Sequence, residues 1–322
     1  MSGSLSEFAR LGLVHHMLYA RSVEDPEFHV TTLEAMVQRT DIETLDCCLP
    51  YGRERQARLV KAIRSSGKEH VAFAIHLFPL RKLSLAATHY AEQAQARLIV
   101  DDMIAQAAAI GATGFVFASG GPPFAEATAE HHHAFHEFCR WLCARLARHN
   151  IDALLEPFDF DHDKKFLFGP LDRNLELVAR LRKEFPNVGI ELDMAHLPLM
   201  RENFASAIRR SAPWLKRVHL GNCVSRRPAD PFYGDKHPPI GYPGGDIDVP
   251  ELVEILSALL DTGFLNPVNR GDLLVEINPF PGRSADESVA DNFKRIREAW
   301  KIVTGRGAAD PRNAPRRASK PY

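Results

Sequence analysis

Short, nearly continuous apolar runs alternate with longer stretches of helical periodicity along the whole chain. The runs LGLVHHMLY (11–19), IETLDCCL (42–49), HVAFAIHLF (70–78) and TGFVFAS (113–119) read as strands, and four more follow at about 151–158, 188–196, 215–222 and 272–280. Runs apolar at almost every position are expected of parallel strands covered on both faces. Helical patterns fall between them at roughly 28–39, 52–65, 84–110, 126–149, 170–185, 201–212, 250–262 and 285–303. The stretch AEQAQARLIVDDMIAQAAAIGA carries Ala, Leu, Ile and Met at helical spacing and stops at Gly111, a residue at ease in a left-handed C-cap. Pro250 stands at the start of ELVEILSALL, where its missing N–H costs nothing. Eight strand–helix pairs predict an α/β fold of the closed (β/α)8 type, a TIM barrel spanning residues 1–303 as a single domain. The last stretch, 304–322, is basic, rich in Gly and Pro and without apolar period. It is expected as a flexible tail, or as an arm ordered against another subunit.

The last four strand candidates read ALLEPF, VGIELDMAH, LKRVHLGN and GDLLVEINPF, and each ends on a metal-type ligand: Glu156, Asp193, His219 and Glu276. A carboxylate closing a Leu/Val/Ile run needs a partner there, because burying it alone costs several kcal/mol. One such acid is usually a helix cap or ion-pair partner; four on consecutive strands, all at the active mouth of a barrel, point to a shared site. Three carboxylates and one imidazole form a shell for one divalent ion such as Mn²⁺, Mg²⁺, Co²⁺ or Zn²⁺. The spacings agree, since 156 to 193 and 193 to 219 fit single α/β units while 219 to 276 requires a long loop after strand seven.

That loop, NCVSRRPADPFYGDKHPPIGYPGGDIDV, is punctuated by proline and glycine and is expected as an ordered lid over the mouth. Around it stand further candidates. His196, three residues after Asp193, is placed to contact substrate or a second metal. Arg226 or Arg227 could clamp a substrate hydroxyl, carboxylate or phosphate. His237 reaches the site if the loop folds inward. His15, His16 and His76 either line the pocket or pack in the core. The cluster Glu130–His133 with His136 begins an outer helix and is read as a solvated face. The Ser119–Pro122 turn is weak evidence for a phosphate site, and no Walker loop, dinucleotide fingerprint or nucleophile elbow is present.

Composition alters this picture little. A formal net charge of −1 gives no case for nucleic acid or an anionic membrane as partner. No run reaches the ~18–20 apolar residues of a membrane span, and the start MSGSLSEFARLG lacks a basic region followed by an apolar one, so a cytoplasmic protein is expected. The odd count of five cysteines, without paired metal spacing, predicts buried reduced thiols.

With these residues in place the chain resembles the xylose isomerase-like (AP endonuclease family 2) barrels, and among them the sugar isomerase/epimerase branch. The resemblance rests on Glu156-Pro157, Asp193-Met-Ala-His196, His219, the GYPGGDIDV segment (241–249) and Glu276, and extends to about residue 303. It implies one Mn²⁺, Co²⁺ or Mg²⁺ on Glu156, Asp193, His219 and Glu276, with the two glutamates as proton donor and acceptor on opposite faces of a sugar. Where ketose 3-epimerases carry a further glutamate beyond the strand-five ligand, this chain offers Asp161 and His162; the family's substrate arginine falls near Arg226. The same ligand set also resembles the catalytic subunit of C-glycoside deglycosidases, which act on 3-oxo-glycosides with a small β-rich partner subunit. A homo-oligomer is expected of a barrel this size.

The chemistry follows from the site. An ion bridging a carbonyl and its neighbouring hydroxyl acidifies the C–H between them, one carboxylate removes that proton, and an acid returns it to the other face. Loss of a β leaving group would share this first step, so a lyase on oxidised glycosides stands beside the isomerase reading. An abasic-site nuclease needs more strand-end histidines and a basic groove, and a sugar-binding or scaffold barrel with a structural metal is the non-enzymatic alternative.

Overall fold

Strand residues alternate between a helix-packed outer side and the barrel interior, and both are buried, which accounts for the continuous apolar runs. In a computed structural model describing residues 3–75 and 84–306, eight parallel strands close in sequence order. They are β1 (Ala9–Val14), β2 (Thr44–Cys47), β3 (His70–Ala74), β4 (Gly114–Phe117), β5 (Asp152–Leu155), β6 (Val188–Asp193), β7 (Leu215–Leu220) and β8 (Gly271–Val275). β8 pairs with β1 in the register Leu273↔Leu11, closing the ring.

The helices that cover it are α1 (Pro26–Val37), α2 (Arg53–Ser65), α3 (Tyr90–Ile110), α4 (Ala129–Ala147), α5 (Leu171–Leu181), α6 (Phe204–Ser211), α7 (Val249–Asp261) and α8 (Ala285–Arg306). Each presents an apolar stripe to the strands: on α5 it is Leu171, Leu175, Val178 and Leu181, at helical spacing. Truncating such a leucine to alanine costs about 2–5 kcal/mol. Helix ends follow the expected signals. Gly111 closes α3 at φ 76°, and Asp248 starts α7 in a reciprocal cap with Glu251, leaving Pro250 in the first turn.

Several boundaries differ from the sequence expectation. The first strand stops at Val14 because His15–Leu18 turns into one helical turn at the mouth. α8 runs to Arg306, past the expected domain limit at 303. The third run, expected to reach 78, is strand only to Ala74, and His76 with residues 307–322 of the expected tail lies outside the described residues. All five cysteines are free and buried. His136 is buried rather than solvated, on the core side of α4 next to Phe135. No described helix is long and apolar enough to cross a membrane.

The interior is divided. Toward β3, β4 and β5 it holds a small apolar cluster of Ala72, Ala74, Val116 and Leu154. Toward β2, β6, β7 and β8 it is ionic. Arg217 donates through Nε to Asp46 (2.7 Å), through Nη1 to Asp272 (2.9 Å) and through Nη2 to Thr44 (2.7 Å). Removing one member of such a buried set costs about 3–5 kcal/mol, since it strands the rest without partners.

Candidate metal-dependent active site

Strand ends place the four expected ligands on one ring of the C-terminal mouth. Glu156 and Glu276 directly follow β5 and β8, Asp193 ends β6, and His219 is the penultimate residue of β7. One ligand atom from each lies within 4.8 Å of all the others. His219 Nδ1 is 2.7 Å from Glu276 Oε2 and 4.0 Å from Glu156 Oε1. These atoms carry lone pairs toward a common point, and His219 Nδ1, Asp193 Oδ2 and Glu276 Oε2 have no hydrogen bond of their own. Such a donor set suits a divalent cation.

A second set shares Asp193. His196 Nε2 lies 3.4 Å from Asp193 Oδ2 and 3.4 Å from Asp235 Oδ1; His237 Nε2 lies 3.7 Å and 2.7 Å from the same two oxygens. On the far side of each ring Nδ1 faces a main-chain carbonyl, Pro157 O at 2.9 Å for His196 and Glu276 O at 3.2 Å for His237. A carbonyl can only accept, so Nδ1 carries a hydrogen in both, and each ring turns its Nε2 toward the two carboxylates. His237 sits at φ 47°, an uncommon backbone for a non-glycine residue and one that aims its ring inward.

The loops that deliver these groups are braced. Asn222, at the start of the long loop, accepts from the N–H groups of Cys223 and Ile247 and donates to Pro239 O, so the loop is ordered as expected of a lid. After β5, Asp159 accepts from the N–H groups of His162, Asp163 and Lys164. Asp163 then accepts the Asp235 N–H (2.8 Å), and Lys164 pairs with the Asp235 carboxylate (2.8 Å), latching the two loops together.

Electrostatics at the site are dominated by acid. Asp46, Glu156, Glu191, Asp193, Asp235 and Glu276 share it with two fixed cations, Lys164 and Arg217, among the described residues. Burial raises Glu156 well above the carboxylate range, and the neighbouring charge of Glu276 adds to it despite His196. Burial alone would raise Glu276 too, but His219 and His237 hold it well below that range. Asp193 is pushed up to about 6, chiefly by burial. Burial would lower His196, His219 and His237, yet the surrounding carboxylates raise all three, His237 to about 9. The field that draws protons to these rings attracts a cation equally.

Beside the ligands lies a cavity of about 340 Å³. Glu156, His196, His219, Asp235, His237, Glu276 and Lys164 form its polar wall; Met17, Val23, Ala74, Ile75 and Phe158 form an apolar one, and His16 lines it too. Arg226 and His162, expected to contact substrate, are not among its lining residues. The Arg226 side chain is 71% exposed with Asp246 3.7 Å away, and His162 packs at a tilt against Tyr233, ring centroids 4.9 Å apart. His15 lies behind the mouth, bonded to Thr32. Ser119 accepts the Phe168 N–H rather than facing the cavity.

Sequence reasoning missed Asp46, Lys164, Glu191 and Asp235 as parts of the site. Asp46 and Glu191 interrupt apolar runs, IETLDCCL and VGIELDMAH, and a charge inside a buried strand was the available signal. Lys164 and Asp235 stand in loops, where nothing local distinguishes them.

Fold and site together define a TIM barrel with a carboxylate- and histidine-lined C-terminal mouth. The chain belongs to the xylose isomerase-like TIM barrel family, matching it over residues 35–269, as the motif resemblance implied. Among solved structures it is similar to a D-tagatose 3-epimerase-like protein, with 15% identity over 92% of this chain and 99% of that one, at a TM-score of 0.69. It is also similar to an L-ribulose 3-epimerase (18%, covering 95% and 100%, TM-score 0.67) and to a 3-keto-D-glucoside 4-epimerase from E. coli (12%, covering 92% and 99%, TM-score 0.63). At these identities the likeness establishes the shared fold. No curated protein matches the sequence.

Proposed function

We propose that this chain is a divalent-metal-dependent sugar isomerase or epimerase that moves a proton next to a carbonyl. The observation that carries the reading is the convergence of Glu156, Asp193, His219 and Glu276, with unpartnered atoms, at the catalytic mouth of the barrel. The sugar epimerases among the solved structures of the same fold support it. Glu156, Asp193, His219 and Glu276 would hold the ion, which would supply the positive charge that makes a C–H next to a carbonyl more acidic, and the carboxylate-rich set suits Mn²⁺. The protein supplies the rest. We assign Glu276, at the end of β8, to take the proton from carbon and Glu156, at the end of β5, to return one from the opposite side. Lys164, on the cavity wall, is the side chain we assign to a substrate hydroxyl, in place of Arg226 and His162.

His196 and His237 are better matched to a second ion than to the substrate contacts expected of them, because both place Nε2 beside the carboxylates of Asp193 and Asp235. The reading therefore extends from one ion to two. Metal content of the purified protein beside a Glu156→Gln/Asp193→Asn double variant tests the ligands, and exchange of substrate C–H hydrogen in D₂O tests the chemistry. Bound metal that is lost in the variant and C–H exchange in the wild type are the expected results; a wild type that takes up no metal after reconstitution overturns the proposal.

A second reading has one observation in its favour. The apolar wall formed by Met17, Val23, Ile75 and Phe158 suits a substrate with an apolar group attached to its sugar, as in a lyase on 3-oxo-glycosides. Release of aglycone from such a compound, with or without a partner subunit, separates the two.

A further inference from the structure

His219 belongs to two overlapping ligand sets: Glu156, Asp193 and Glu276 gather near its Nδ1 side, Asp46 and Glu191 on its Nε2 side. One imidazole cannot serve an ion from both nitrogens while remaining neutral, so the surroundings must choose between them. We propose that Asp46, held by Arg217, is a positioning residue that makes this choice, fixing the ring so that Nδ1 is the atom offered to the ion. The inference rests on the metal-site reading above and deepens it.

Three observations carry it. First, each oxygen of Asp46 has its own partner: Oδ2 lies 2.9 Å from His219 Nε2, and Oδ1 accepts Arg217 Nε at 2.7 Å. The carboxylate cannot turn without breaking one of two buried bonds. Being an acceptor, it selects the ring form with the hydrogen on Nε2 and leaves the Nδ1 lone pair toward Glu276. Second, Arg217 is fixed in turn by Asp272 (2.9 Å) and Thr44 (2.7 Å), and it and Asp46 are almost fully buried. Strands β2, β7 and β8 thus meet on one guanidinium beneath the site. Third, that guanidinium stands against Asp46 and 3.9 Å from Glu191, so a fixed positive charge already serves the Nε2-side set and repels a divalent ion from it. Glu191 Oε1, 2.5 Å from His219 Nε2, closes the same side.

The test uses full-length protein treated with EDTA and titrated with Co²⁺ by calorimetry, with the visible spectrum of the bound ion recorded. Asp46→Asn is expected to weaken binding about 10–100-fold and to alter the spectrum. Asp272→Asn removes the other carboxylate from Arg217 without touching His219, and is expected to lower stability but leave Co²⁺ affinity within about twofold. A folded Asp46→Asn protein that binds like wild type overturns the positioning role alone; equal losses in both variants reduce it to general stability and overturn it likewise. A wild type that binds no Co²⁺ brings down the metal reading and this inference together. Should Asp46→Asn fail to fold, a crystal structure of the Co²⁺-loaded wild type decides: Nδ1 on the ion with Nε2 on Asp46 supports the proposal, and ligation through Nε2 overturns it.

Discussion

His219 turns Nδ1 to within 2.7 Å of Glu276 Oε2, joining the ends of β7 and β8 at the C-terminal mouth of the barrel. Glu276 thereby stands next to a proposed ligand and, on the proposed chemistry, next to the carbon that loses its proton. Glu276→Gln keeps the size and polarity of the side chain but cannot take a proton. It is expected to lower kcat about 10²–10⁴-fold in a protein that still folds. Substrate exchange in D₂O at a near wild-type rate would remove Glu276 from the base role.

Chelation should act on stability as well as on turnover. An ion that binds only the folded chain stabilises it by about 2.7 kcal/mol at a concentration 100 times its dissociation constant. EDTA is therefore expected to lower the melting temperature by several degrees and to abolish activity, with Mn²⁺ restoring both. A melting temperature indifferent to EDTA and to added Mn²⁺ would argue against a bound ion.

Asp235 separates the proposed ions, since it lies 2.7 Å from His237 and 3.4 Å from His196 but is not one of the four strand-end ligands. Asp235→Asn is expected to reduce bound metal from two equivalents to one, measured by elemental content per chain. If the wild type holds a single equivalent that Asp235→Asn leaves unchanged, the second set is a hydrogen-bonded ion-pair cluster and not a metal site.

Gly221 gives the site its room. A Cβ built there would come within 2.8 Å of Asp193 Oδ1 and 2.9 Å of His237 Nδ1. Gly221→Ala must therefore push on a residue of each ligand set. Overpacking of this kind costs about 1–3 kcal/mol, and metal affinity should fall with stability. Unchanged metal content and melting temperature in Gly221→Ala would show that the mouth relaxes around a methyl group.

How far the site could be read in advance depended on how each residue is delivered. Glu156, Asp193, His219 and Glu276 stand at the ends of apolar strands, and parallel strands of one barrel bring such ends together by construction. His237 and Asp235 reach the same place on a long loop, where the path is set by the bonds of Asn222 and the latch to Asp163 rather than by any periodicity. Arg226 follows the same logic in reverse: its distance along the chain from His219 suggested proximity, but the loop carries it to the surface. Arg217 escaped notice although it stands two residues before His219 on β7, where the period-two alternation of a strand puts both on the same inner side. Strand limits were overrun at β1 because His15–Leu18 carries no Gly, Pro or charged break to mark where the strand ends.

Behind the mouth, His15 and His29 pack with ring centroids 4.7 Å apart, and both are buried. Burial lowers His15 well below the ordinary imidazole value of 6.5, and the nearby His29 and His16 lower it further. Burial lowers His29 as well, against its bonds to Cys48 O and Ser22 O. With folded values depressed, the unfolded chain binds more protons as pH falls below about 6.5. Stability from these neutral rings is therefore fully present above that pH and is lost as pH drops toward the folded values. The slope is at most about 1.4 kcal/mol per pH unit for each proton taken up only on unfolding. Acids at the mouth titrate in the same protein, so a difference isolates the histidine: urea midpoints of wild type and His15→Gln are compared from pH 7.5 to pH 5. The His15→Gln profile should be flatter below pH 6.5. Parallel profiles would mean that His15 already holds its second proton in the folded chain.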